Sequence, residues 1–138
     1  MAIVVVGMLD EREEALSLIR DRIRERGHEP CLIDVSVGSG AILPTLEPDV
    51  TAGELADLAQ SSAGGATAHG DAATSVATAG LKAKIRDAQA RGEVQGIIAI
   101  TGMTGALIAL PAMMELPFGI PKVLISGATT QPAHAATF

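Results

Sequence analysis

Flat rings are almost missing from this chain: its 138 residues include two phenylalanines, Phe118 and Phe138, and no tryptophan or tyrosine. Stacking platforms for bases or sugars need such rings, so surfaces of that kind are largely excluded. Cysteine is nearly as scarce. Cys31 stands alone, which rules out an internal disulfide and a cysteine-rich metal site and fits a reducing, cytoplasmic setting. His69 has no second His or Cys beside it, so no metal is implied. Positive charge is short as well. Ten Lys and Arg face sixteen Asp and Glu, for a net charge of −6 and a pI near 4.9. A surface of that sign repels phosphodiester backbones and argues against nucleic acid as a partner. No basic segment precedes the apolar residues 1–6, so they do not read as a signal peptide. Charge is absent altogether from Val94 to Met114, a stretch of about 20 residues that could span a bilayer. Gly96, Gly102, Gly105 and Pro111 interrupt it, however, so it reads as strand, turn and helix and no membrane is implied.

What the chain does contain is strand–helix alternation. Residues 2–7 are a β-branched apolar run ending in Gly7, the pattern of a strand buried on both faces of a parallel sheet. Asp10 opens a helical pattern in which Ala15, Leu16, Ile19 and Ile23 share a face. Acids fill its first turn, arginines its last, and Gly27 closes it. Residues 30–35 form a second strand, and a polar loop follows over 36–50. Thr51 and Glu54 make a capping box for a short helix. A small, polar connection over 61–69 leads to Asp71, read as the cap of a helix with Val76, Leu81 and Ile85 on its face. Gly80 is a weak point inside that helix, and Gly92 ends it. Residues 95–101 are a third strand, 101–105 a turn, 106–116 a helix and 122–126 a fourth strand. One α/β domain over residues 1–138 follows: a Rossmann-like three-layer sandwich with a mainly parallel sheet of about four strands.

In such sheets, ligands sit beyond the carboxyl ends of the strands. The segments there are 7–10, 36–40, 101–105 and 126–130. Thr101-Gly102-Met103-Thr104-Gly105 leads from strand to helix, where glycines admit a ligand close to the backbone and free amides accept an anion. It is neither a Walker A sequence nor a complete Gly-x-Gly-x-x-Gly; a tight packing turn explains it as well. Cations are few near this edge: no Lys or Arg occurs between Cys31 and Leu81, and Arg12 is the one cation placed beside it, with Lys122 at the far end of its strand. A bound anion would therefore rely on backbone donors and hydroxyls, or on cations from another chain. Asp34 ends the second strand, where it could hold ribose hydroxyls or bond the loop. Asp10 is most simply an N-cap. Cys31, on a buried strand, is read as inert.

Several segments together resemble one family. They are Gly7-Met8-Leu9-Asp10 with Arg12 and Glu14, Asp34-Val35 with Val37-Gly38, Glu47-Pro48-Asp49-Val50, Gly70-Asp71, and the run from Ile97 to Gly127. The order and spacing are similar to a poorly characterised ATP-binding family related to the N-terminal domain of the tomato mosaic virus resistance protein. The resemblance implies a first Rossmann-like subdomain, a second subdomain absent from this chain, ATP near the cleft between them, and dimers. Carried over by position, it places ligand contacts at Gly7, Asp10, Arg12, Gly38, Gly102, Thr104 and Gly105, with Ser126 and Gly127 nearby. Met8, Arg12 and Glu13 depart from the family's Thr, Lys and Gly. Thr101, Met103, Thr104 and Ala106 depart from its Gly, Ser, Gly and Thr.

Three functions are carried forward. The first is a nucleotide or small-anion binding module working in a homo-oligomer or with a companion chain that supplies the second subdomain. The second is a subunit of a two-component enzyme, lending Asp10, Thr104 or Ser126 to a site for a carboxylate or phosphate. The third is an interaction protein that has lost the ligand.

Overall fold

The computed structural model describes residues 1–38, 40–62, 72–130 and 132. His69, the Gly70-Asp71 pair with its expected cap, most of the 61–69 connection, and Phe138 lie outside the described residues. In chain order the elements are β1 (Ala2–Gly7), α1 (Leu9–Glu25), β2 (Pro30–Asp34), α2 (Ala52–Ser62), α3 (Ala72–Ala90), β3 (Val94–Thr101), α4 (Met103–Met113) and β4 (Lys122–Ser126), with a short 3-10 turn at Gly127–Thr130. The four strands form one parallel sheet in the order β2-β1-β3-β4. This is the expected α/β Rossmann-like fold.

The two apolar faces of the strands build two cores. On one, Val5, Leu32 and Ile100 meet Leu9 and Leu16 of α1. On the other, Val4, Val6, Ile97 and Ala99 meet Leu55 of α2, Leu81 and Ile85 of α3, and Ile108 and Ala112 of α4. Alternation along β1 and β3 sends successive side chains to opposite layers, which is why both strands read as unbroken apolar runs. The uncharged stretch at 94–114 is β3 followed by α4, and no helix among the described residues is long and apolar enough to cross a membrane.

The punctuation residues behave as their chemistry requires. Gly27 and Gly92 follow α1 and α3 with φ of +79° and +68°, a region where side chains are strained. The capping box at α2 is formed: Glu54 N–H donates to Thr51 Oγ1 at 3.1 Å, and Thr51 N–H donates to Glu54 Oε2 at 2.6 Å. At the far end of α4, Glu115 takes Lys82 at 3.3 Å and Arg86 at 3.1 Å from α3. Those bonds hold its carboxyl below the ordinary range, Arg86 first and Lys82 second.

Four expectations need correction. Asp10 neither opens nor caps α1; the helix starts at Leu9 with Met8 as its N-cap residue and no side-chain cap bond from it. Helix α4 starts at Met103, not Ala106, so the turn after β3 is Gly102 alone. The buried face of α3 is Ala77, Gly80, Leu81 and Ile85, with Val76 only half-buried. Gly80 is therefore no weak point: a Cβ there would overlap the main chain of Leu55, so the missing side chain is what lets α2 and α3 close on each other. Replacing Gly80 with Ala is expected to destabilise the protein by about 1–3 kcal/mol through overpacking. Gly96→Ala, whose Cβ would meet Pro121 at an ordinary 3.5 Å, should be near neutral. Urea unfolding of the two variants checks both.

Candidate functional site

Because all four strands run parallel, the segments after β1, β2, β3 and β4 meet at one rim of the sheet. The order 2-1-3-4 places the topological switch point between β1 and β3, where loops diverge to opposite layers and leave a crevice. The amino ends of α1 and α4 flank that crevice, and they are treated in opposite ways.

The first turn of α1 is fully engaged. Leu9 N–H donates to Asp34 Oδ1 at 3.1 Å, and Asp10 N–H donates to Ser36 Oγ at 3.3 Å. Glu11 and Arg12 N–H both reach Met8 O, at 3.1 and 2.9 Å. Asp34 Oδ1 also accepts Ser36 N–H at 3.0 Å and Ser36 Oγ at 2.5 Å. The carboxylate from the end of β2 thus does the capping that Met8 cannot. Of the two roles open to Asp34 in the sequence, the structure shows the loop-bonding one.

The loop after β2 then folds across the start of α1. Asp10, buried at 9 % exposure, accepts Gly40 N–H on Oδ2 at 3.1 Å, and its main-chain oxygen accepts Ile42 N–H at 2.9 Å. A Cβ on Gly40 would overlap Asp10, so this approach requires glycine. Glu13 Oε1 accepts Thr45 N–H, Thr45 Oγ1 and Leu46 N–H at 2.7–2.8 Å. The Thr45 hydroxyl bond is the foremost reason its carboxyl titrates below the usual 4.5.

The amino end of α4 is open. Gly102 is its N-cap residue and supplies no side-chain cap. Among the described residues, the N–H groups of Met103, Thr104 and Gly105 have no acceptor, and the first helical bond there is Ala106 N–H to Gly102 O at 3.1 Å. One cation reaches this end. Helix α1 breaks its helical geometry at Arg12 (φ −135°, ψ 33°), and the Nη2 atom of Arg12 lies 3.3 Å from where a Cβ on Gly102 would stand. Arg12 makes no ion pair among the described residues. Thr101, 2 % exposed, has a buried hydroxyl without a partner. Ser126 Oγ donates to Gly102 O at 3.3 Å and accepts Ala128 N–H at 3.2 Å.

The structure therefore brings Arg12, Gly102, Thr104, Gly105 and Ser126 to the β3 side of the rim. Gly105 is also a packing glycine, since its Cβ would crowd Thr101 at 2.9 Å. Gly7 serves packing in the same way: a Cβ there would come within 2.6 Å of Leu16. Asp10 is tied to the loop, Gly38 is a turn residue with φ +83°, and Gly127 opens the final turn beside empty space. The roles of Thr101, Gly40 and Glu13 at this rim are legible only in three dimensions, because their partners are remote or local to the fold. Cys31 is half-buried, and burial, with Asp49 nearby, pushes its thiol upward, as an inert cysteine requires.

Residues 1–135 match the model described as the N-terminal domain of an uncharacterised protein family, UPF0261. The chain belongs to the UPF0261 family. UPF0261 proteins of Brucella suis biovar 1 and Rhizobium meliloti are each 32% identical to it, over 126 and 124 residues. One from Clostridium tetani is 33% identical over 126 residues. Each alignment covers 90% of this chain and 29–30% of the relative. The chain thus spans about three-tenths of the length of these UPF0261 relatives.

Two outcomes follow for this rim. Asp34→Ala should cost about 2–3 kcal/mol, since it leaves the Leu9 and Ser36 amides without their acceptor; chemical denaturation measures it. For Glu13, a folded-state pKa below 4.5 means that its tether is fully present above that pH and is lost as pH falls through the lowered value. The Thr45 and Leu46 amide resonances should follow that titration, and Glu13→Gln should abolish it.

Proposed function

We propose that the rim between β1 and β3 binds a phosphate-bearing ligand, a nucleotide such as ATP or a small anion, with the rest of the ligand held by an oligomeric partner or a second domain. The observation that carries this reading is the convergence of the Arg12 guanidinium on the uncapped amino end of α4. Three amides unfilled among the described residues, together with the helix dipole, favour negative charge there. The guanidinium adds a planar, permanently charged donor suited to a phosphoryl group. The hydroxyls of Thr104 and Ser126 stand next to these donors in the chain and at the sheet edge. Support for ATP in particular comes from the resemblance of residues 97–127 to the ATP-binding family described above. The single unpaired thiol supports a reducing, cytoplasmic setting. The near absence of aromatic residues means that a base would find its stacking surface elsewhere, and UPF0261 relatives more than three times as long as the aligned region have chain to supply one.

A second reading, an interaction protein without a ligand, has one observation in its favour. The buried side chain of Met8 belongs to the core and packs against the start of α4, its methyl 3.9 Å from the Cβ position of Gly105.

Isothermal titration with inorganic phosphate, pyrophosphate and ATP tests the choice. Binding is expected near 1 mM or tighter, weakened about tenfold by Arg12→Gln. Absence of saturable binding at about 10 mM, or an unaltered affinity in Arg12→Gln, would overturn the anion reading and favour the second.

A further inference from the structure

Gly96 sits inside β3 with no packing or conformational reason to be glycine. Its φ lies outside the left-handed region, and a Cβ there would meet nothing nearer than Pro121 O at an ordinary 3.5 Å. Glycine weakens a strand interior, and it marks places where a ligand or another backbone comes close. Beside it the ladder slips: Ala2 pairs with Val94 and Ile3 with Gly96, so Gln95 has no partner on β1. A bulge of this kind re-aims side chains, and Gln95 and Gly96 line one groove on the α1 side of the sheet. Among the described residues α1 is the one helix on that side, and it packs on β1, β2 and β3. Between its second half and the β3–β4 surface it leaves a cavity of about 450 Å³, within the size range of small-molecule sites. The cavity is graded from end to end. Helix α1 joins two parallel neighbours and so runs against the strands, which puts Arg26 near Gln95 at their amino ends. Ile19 stands further along, with Ile98 and its register partner Val123, which is 46% exposed. Arg22 is taken by Glu25 at 2.7 Å. Arg26 makes no ion pair, and the half-buried Gln95 amide makes no hydrogen bond, among the described residues. No carboxylate among the described residues lines the groove.

We propose that this groove binds an aliphatic carboxylate. The hydrocarbon chain lies over Gly96, between Ile19 and Ile23 of the helix and Ile98 and Val123 of the sheet. Its carboxylate meets Arg26 and Gln95. Three features choose that occupant. The walls are branched aliphatic side chains, which a methylene chain can cover without the flat surface an aromatic ligand would need. The polar end carries an uncommitted guanidinium, whose fork matches a carboxylate, and an amide able to donate beside it. The carboxyl end of α1 bears partial negative charge, so a singly charged head suits this end better than a phosphate. From Ile19 to Arg26 the helix rises about 10 Å, the reach of a chain of medium length. The groove opens at the amino ends of the strands, and is therefore distinct from the rim between β1 and β3 at their carboxyl ends.

Isothermal titration of the full chain with decanoate tests the inference, with a Kd of about 100 μM or tighter expected. Octanoate, shorter by two methylenes, should bind about tenfold more weakly, and decylammonium at least about tenfold more weakly for its opposite charge. Decanoate should move the amide resonances of Gln95, Gly96, Ile98 and Val123 and leave those of Met103, Thr104 and Gly105 in place. Inorganic phosphate should not displace it. Gly96→Val, which fills the floor of the groove, should weaken decanoate at least about tenfold while keeping wild-type stability in urea. Arg26→Gln should weaken it about tenfold and narrow its advantage over decylammonium. Absence of saturable binding at about 1 mM would overturn the proposal and leave the groove as a seat for a protein segment. Equal binding of decylammonium, or an unaltered affinity in Gly96→Val, would overturn it as well. Should Gly96→Val fail to fold, the Arg26 variant and the resonance pattern decide it.

Discussion

The amino end of α1 depends on a carboxylate twenty-five residues away in the chain. Met8 cannot cap a helix, so Asp34 at the end of β2 accepts the Leu9 amide and, with the same oxygen, gathers Ser36. This one oxygen fixes the exit of β2 against the exit of β1, which the sheet register already sets side by side as Gly7 and Asp34. The loop that follows can then be laid across α1 by Asp10 and Glu13. Each carboxylate accepts main-chain amides that would otherwise be stranded over an apolar layer, and such charge-assisted bonds are among the stronger ones a protein makes.

The same logic explains why the two helix ends at the rim differ in chemical capacity. At α1, protein groups have satisfied the amides, and the acidic first turn is consumed in holding a loop. At α4, nothing within the described chain plays the part of Asp34, and the neighbouring side chain is a cation. In a protein of net charge −6, an arginine without an ion pair among the described residues, beside an uncapped helix, concentrates positive potential at one place. Favourable local potential matters more to a small anion than the overall balance.

Much of the fold is legible in the residues because its signals are local. The β-branched run before Gly7, the Thr51–Glu54 capping box, and the glycines after α1 and α3 act within a few positions, and each sits where its own chemistry puts it. The candidate rim was legible as a place, since parallel strands must bring their exits together. Its internal division was not. Asp10 looks like a cap because an acid in a first turn usually is one; only the return of Gly40 and Ile42 to it makes it a tie. Gly80 looks like a defect because helix propensity is a property of one segment, whereas the gain from its absent side chain belongs to a crossing with α2. Arg12 has the right sign in the sequence, but the break in α1 that accompanies its approach to Gly102 has no sequence signature.

The strand order has a consequence for how the molecule comes into being. β1 is flanked by β2, which follows almost at once, and by β3, whose Gly96 must reach back to Ile3. During synthesis from the amino terminus, β1-α1-β2 can close early, but one long side of β1 stays bare until most of the chain has left the ribosome. Pairings of such separation slow assembly, since a large loop has to close before any contact rewards it. A nascent chain paused between α2 and β3 would therefore present a naked row of valines, and that interval is when it would gain most from a chaperone.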